Sequence, residues 1–114
     1  MHEMSVAQSI VQIVEEVLQE QNAHKVLKVV VKIGELVAVV PESLQFCYRA
    51  ITEGTTLGES ELVIQTVPVR ALCQGCGREF SPQRPFFICP FCESSRVRLL
   101  QGQELQVSEL EVEE

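Results

Sequence analysis

Apolar residues recur at Val6, Ile10, Ile13, Val14, Val17 and Leu18, the i, i+3, i+4, i+7 spacing that lays one stripe along a helix. The spacing predicts a helix from Ser5 to about Gln21, with Ser5 and Gln8 as a capping box and Asn22-Ala23 breaking the pattern. Val26 to Ile33 then alternates, with Leu27, Val29, Val31 and Ile33 on one face and Lys28 and Lys32 on the other, which predicts a strand buried on one side. Gly34 ends it. Pro41 and Glu42 open a second helix, because proline suits a first helical turn and a carboxylate suits the helix dipole there. Its stripe is Leu44, Cys47, Tyr48 and Ile51, and Gly54 sits where a C-terminal cap belongs. Leu62 to Val67 is a second strand ended near Pro68. Gln103 to Val112 is a last strand whose apolar parity switches between Val107 and Leu110. A bulge or break near Ser108 would produce that switch. The pattern is α+β: a small mixed or antiparallel sheet with two helices.

The 114 residues leave room for one domain plus a module, too few for an enzyme with a separate cofactor fold. No apolar run reaches eighteen residues, and the start lacks the basic-then-apolar layout of a signal peptide. A protein of the reducing cytosol is expected, so its five cysteines are not read as a disulfide framework. Charge is unevenly placed. Residues 1–69, 70–98 and 99–114 carry nets of −5, +3 and −5, giving −7 overall. The shifts predict a basic module, residues 70–98, inserted into an acidic framework made of residues 1–69 and 99–114. So acidic a chain is a poor ligand for a duplex, which needs clustered cations to displace counterions.

The basic module holds Cys73-Gln-Gly-Cys76, twelve intervening residues, and Cys89-Pro-Phe-Cys92. Each pair can wrap one turn around a metal, and together they offer four thiolates at tetrahedral corners. Gly77 after the first pair permits the tight path such a knuckle needs. Residues 70–98 are too few to fold by apolar burial alone, so a metal is expected to supply most of the folding energy. No histidine occurs between 70 and 98, which leaves an all-cysteine site. Structural Zn(II) is the preferred occupant. A rubredoxin-like iron site uses similar knuckles, and redox dithiols are disfavoured because no βαβ pattern accompanies them. Phe80, Phe86, Phe87 and Phe91 are expected to form the module's small core rather than a base-stacking surface. Cys47 reads as a small buried hydrophobe and His24 as a solvated turn residue.

The chain opens Met1-His2-Glu3-Met4-Ser5. A free α-amine, the His2 amide and its imidazole can close adjacent chelate rings, and the Glu3 amide would complete a plane of four nitrogens. Square-planar nitrogen coordination is typical of Ni(II) and Cu(II), not of Zn(II). With this opening, Lys32-Ile33-Gly34-Glu35-Leu36, Pro41-Glu42-Ser43-Leu44-Gln45-Phe46, and Cys-x2-Cys followed by Cys-Pro-x-Cys, the whole chain resembles the HypA/HybF family of hydrogenase nickel-incorporation proteins. The resemblance implies a nickel metallochaperone, with transferable Ni(II) at Met1, His2 and Glu3 and structural Zn(II) at Cys73, Cys76, Cys89 and Cys92. It implies a nickel-binding GTPase accessory protein and the large subunit of [NiFe]-hydrogenase as partners, and a last strand that returns to the N-terminal sheet. No catalytic constellation, phosphate loop or nucleotide fingerprint occurs, so no enzyme is expected, and neither nucleic acid nor membrane is an expected partner. The rival reading is a zinc-ribbon adaptor that docks nucleic acid or a transcription or translation complex.

Overall fold

The computed structural model describes residues 2–23, 25–82 and 87–113; the expectations for Met1, His24 and Phe86 lie outside them. Helix α1 spans Glu3–Gln21, with His2 as its N-cap residue in extended conformation. It starts earlier than the predicted Ser5, and no side-chain cap bond is made. Ser5 lies within the first turn and its carbonyl accepts a bond from Ser9 Oγ at 3.0 Å. Val6, Ala7, Ile10, Val14 and Leu18 are buried. Ile13 is 42% exposed, because the contact line runs along i, i+4 steps and tilts away from it. Asn22 ends the helix in the left-handed region (φ 52°), and the Ala23 amide closes back on the Leu18 carbonyl, a Schellman-type stop.

Strand β1 spans Val26–Gly34, followed by a single 3₁₀ turn, Glu35–Val37, helix α2, Pro41–Thr52, and strand β2, Glu61–Val67. β1 pairs with β2 in parallel, so β1, α2 and β2 form a βαβ unit. The sequence pattern shows strand, helix and strand in this order, but not the parallel pairing that makes them one unit. The redox argument is unaffected, since the cysteine pairs lie outside this unit. β1 also pairs antiparallel with the last strand, β6, Leu105–Val112, giving a mixed sheet in the order β2-β1-β6.

Two register shifts interrupt the β1–β6 ladder. At the first, Val26 faces Val112 and Lys28 faces Glu111, leaving Leu27 as the extra residue. The extra residue reverses parity: Val26 joins the buried face and Leu27, expected inside, is 39% exposed. At the second, Val30 faces Glu109 and Val31 faces Val107, so the extra residue is Ser108, where the sequence placed a bulge. The Ser108 hydroxyl donates to the Val30 carbonyl at 3.2 Å. Val107, Leu110 and Val112 thereby all face the core, which is built from α1, α2 and the helix-facing side of β1, with Leu44, Tyr48 and Leu57 fully enclosed.

A second sheet, order β4-β3-β5, holds strands β3, Arg70–Cys73, β4, Glu79–Phe80, and β5, Val97–Gln101. These strands are too short to show alternation in sequence. Ala71, Cys73, Phe80 and Cys89 form a separate small core with Val97 and Leu99 against it. Of the phenylalanines expected there, Phe80 is buried, whereas Phe91 is 56% exposed and lies beneath the Arg78 guanidinium, 4.7 Å from its ring centre.

The chain crosses between the sheets at Val67–Arg70 and at Gln101–Leu105, and both crossings are tied to the end of β1. Val69 N–H donates to Glu35 Oε1 at 2.7 Å, Leu36 N–H to the Gly102 carbonyl at 2.9 Å and Gly34 N–H to the Glu104 carbonyl at 2.8 Å. A Cβ on Gly34 would sit 2.0 Å from the Gly102 carbonyl oxygen. Gly34→Ala should therefore force the crossing apart and cost on the order of 3 kcal/mol or more. Gly54→Ala, where φ is +80° but nothing lies within 4 Å, should cost about 1 kcal/mol. Urea denaturation of the two variants measures the difference, and similar losses would show that the close approach is not a constraint.

Candidate metal centres

The two cysteine pairs fold into matching knuckles. Cys73 closes β3, and its carbonyl accepts the Gly77 amide at 2.9 Å; the Cys89 carbonyl accepts the Glu93 amide at the same distance. Cys73 N–H donates to the Arg78 carbonyl and Cys89 N–H to the Ser94 carbonyl, each at 2.9 Å. The residue four positions after the leading cysteine takes positive φ in both turns: Gly77 at 78° and Glu93 at 61°. Glycine adopts this freely, whereas glutamate pays a backbone penalty of about 1–2 kcal/mol. The sequence pointed to Gly77 but gave no sign of its counterpart at Glu93.

The knuckles bring all four thiols together, with their sulfurs within 4.8 Å of one another. Cys73 Sγ lies 3.5 Å from Cys92 Sγ, and Cys76 Sγ lies 3.7 Å from Cys89 Sγ. Disulfides would require about 2.05 Å, whereas four sulfurs around an ion at ~2.3 Å stand about 3.8 Å apart. Backbone amides point at the leading sulfurs: Gly75 and Cys76 donate to Cys73 Sγ at 3.3 and 3.4 Å, and Phe91 donates to Cys89 Sγ at 3.4 Å. Such bonds stabilise thiolates over thiols. Cys73 and Cys89 are buried while Cys76 and Cys92 are exposed, so one edge of the cluster opens to solvent. The donor set fits a soft or borderline ion in tetrahedral geometry.

Electrostatics divides the cluster. The Cys76 amide, with further bonds from Cys92 and Gly75, lowers the Cys73 thiol to about 6 against the opposing effect of burial. At Cys92 the Ser94 amide pulls downward, but the neighbouring Cys73 thiolate, burial and the other two thiols outweigh it and push Cys92 up to about 12. Four thiolates this close cannot all carry charge without a cation between them.

At the other end, His2, Glu3 and Met4 line an open groove of about 460 Å³ with Glu42, Ser43, Phe46 and Cys47 of α2. Cys47 is half-buried and packs against the main core. Met1, expected to supply the terminal amine, lies outside the described residues. Among the described residues the four cysteines are the only group of three or more histidine, cysteine or acidic side chains converging as a metal site would require. His2 and Glu3 therefore share a groove without forming a side-chain cage. A wider groove, about 940 Å³, lies along α2 beyond Phe46 and includes Lys25, Arg49, Glu53 and Glu59. No expectation from sequence concerned it.

Comparison with known proteins adds four findings. A family model described as hydrogenase/urease nickel incorporation, metallochaperone, hypA matches residues 1–112. The hydrogenase maturation factor HypA of Geobacter metallireducens is 44% identical over 99% of this chain and 100% of its own length. That of Azotobacter vinelandii is 43% identical over the same shares. The solution structure of the Ni metallochaperone HypA from Helicobacter pylori superimposes with a TM-score of 0.71 at 31% identity, covering 98% of this chain and 97% of that one.

The thiol cluster yields a pH prediction. Cys73 holds its charge above about 6 and loses it as pH falls through that value, while Cys92 keeps its proton up to about 12. A divalent ion entering at neutral pH should then expel protons, with Cys92 a chief source, so its affinity should fall as pH drops through neutrality and more steeply still below about 6. Calorimetry in buffers of different ionisation enthalpy counts the protons, and chelator competition follows the affinity. Affinity that does not change between about pH 5 and 8 would exclude thiolate ligation.

Proposed function

The chain belongs to the hydrogenase and urease nickel-incorporation family of metallochaperones, and on that premise we propose that it carries Ni(II) at its N-terminus and passes it to the large subunit of [NiFe]-hydrogenase. The observation that carries the reading is the position of α1. The first helical bond is donated by Val6 N–H to the His2 carbonyl at 3.2 Å. The amides of His2 and Glu3 therefore stand outside the helical ladder. With the Met1 α-amine and the His2 imidazole they supply four nitrogens for a plane, and deprotonating them breaks no helical bond. The positive end of the helix dipole disfavours a bare cation there by about 0.3–1 kcal/mol. Two amidate charges cancel those of the dication, so the planar nickel site is neutral and the helix terminus no longer opposes it.

The four cysteines hold Zn(II) as a structural ion. Residues 70–98 form the zinc ribbon, whose last strand runs on to Gln101, and residues 1–69 with 99–114 form the nickel-binding framework. A closed thiolate cage retains its ion, while an open terminal site exposes its ligands to an acceptor, which matches one resident metal and one cargo. The GTPase accessory protein of the same pathway is the second partner. No described helix is long and apolar enough to cross a membrane, and a cytoplasmic carrier fits the reduced cysteines. The protein changes no covalent bond of its partners. The nucleic-acid adaptor reading has no support from the family or the structural relatives.

His2→Ala should abolish high-affinity nickel binding while leaving zinc content and melting temperature essentially unchanged, because His2 makes no side-chain cap bond. A Gly-Ser extension ahead of Met1 should weaken nickel almost as much by displacing the amine from its ring. Binding should strengthen with rising pH as amide protons leave, with the absorption of diamagnetic square-planar nickel. Calorimetry on untagged, His2→Ala and extended protein is the comparison, and equal affinity in all three would remove the terminal site.

A further inference from the structure

Phe46 is 74% exposed, more than any other large apolar side chain among the described residues. It stands on α2 between Leu44 and Tyr48, both fully buried, and contributes nothing to the core those residues build. It borders both large grooves, sharing one with His2, Glu3 and Met4 and the other with Arg49 and Glu53. Met4, 39% exposed, faces the first groove with it. An isolated exposed leucine or valine needs no explanation, but an unpacked phenylalanine on a rigid helix beside a metal-delivery terminus is placed as an interface anchor would be.

From this we infer that Phe46 and Met4 form the docking surface for the protein that exchanges nickel with the N-terminus, an inference that rests on the carrier reading above. The charge of the groove selects the occupant. Its titratable lining is His2, Glu3, Glu42 and Cys47, with no lysine or arginine. A second copy docked face to face would set Glu3 and Glu42 against their own equivalents, between chains of net charge −7 each, which opposes self-association. The complementary partner has an apolar socket for Phe46 rimmed by lysine or arginine, with its own nickel ligands facing His2. The wider groove beyond Phe46 carries Lys25 and Arg49 against Glu53 and Glu59, with Lys25 paired to Glu59 at 3.1 Å, and so selects no sign. Nickel passes without change of oxidation state. Each bond to the chain's amine, imidazole and amides is exchanged for one to a partner ligand, and the amides take up the protons those ligands release.

The probe is the nickel-free large subunit of [NiFe]-hydrogenase, the acceptor named above, mixed with nickel-loaded, zinc-replete full-length chain. Phe46→Ala should keep nickel affinity and melting temperature near those of the parent, yet weaken the complex by about tenfold or more and slow nickel exchange in proportion. Glu42→Lys should weaken the complex further, with a loss that shrinks as salt screens the rim. Ile13→Ala, which removes an exposed apolar side chain outside this groove, should leave both unchanged. Parent-like complex formation by Phe46→Ala, an equal loss in Ile13→Ala, tighter binding by Glu42→Lys, a dimer of the chain through this face, or no complex with the parent protein would each overturn the inference. Loss of nickel binding by the parent chain itself would instead sink the carrier reading.

Discussion

The Gly102 backbone approaches Gly34 so closely that no side chain fits at residue 34, and the architecture hangs on that contact. β1 lies at the centre of the larger sheet, and everything after β2 must leave that sheet, build the cysteine module, and return to pair with β1 as β6. Both crossings are fixed to residues 34–36: one by the Glu35 carboxylate on the Val69 amide, the other by backbone bonds from Gly34 and Leu36 to Glu104 and Gly102. A side chain at Gly34 would separate the strands that carry the crossing and leave buried backbone groups unpaired, which is costly. With glycine present, two small cores that share no buried residue are held in one molecule.

The same segment leads through its 3₁₀ turn into α2, whose first turn borders the groove of His2 and Glu3. That stretch of backbone thus runs from the crossings that lead to the cysteine module to the groove at the N-terminus, although the two candidate metal sites differ in every local respect. The cysteine cluster is assembled from side chains that the fold converges, with amides aimed at the sulfurs and two of its four members buried. The proposed N-terminal site would draw on backbone nitrogens next to one another in sequence and would need only that the helix begin late enough to leave them free. A cage of converging side chains releases its ion only by opening, whereas consecutive chelating groups at an exposed helix end can give theirs up one bond at a time. Resident and cargo metals call for those opposite properties.

The sequence by itself determined the helices, the long strands, the bulge at Ser108 and the four-cysteine cluster. Each is a local pattern: a stripe of period 3.6, an alternation and its reversal, a pair of C-x2-C turns. The Met-His opening and its chelating capacity are local as well. Only the tertiary structure decided the parallel pairing of β1 with β2, the bulge that turns Leu27 outward, the exposure of Ile13, and the helix start at Glu3. It alone showed the strain at Glu93, the Arg78–Phe91 contact, and the grooves on either side of Phe46. Pairing partners and register depend on residues far apart in sequence, and one inserted residue in a ladder reverses the facing of every side chain on its far side. Phe46 shows the division most plainly: its spacing from Leu44 and Tyr48 removes it from the buried stripe, but only the folded chain sets it beside His2.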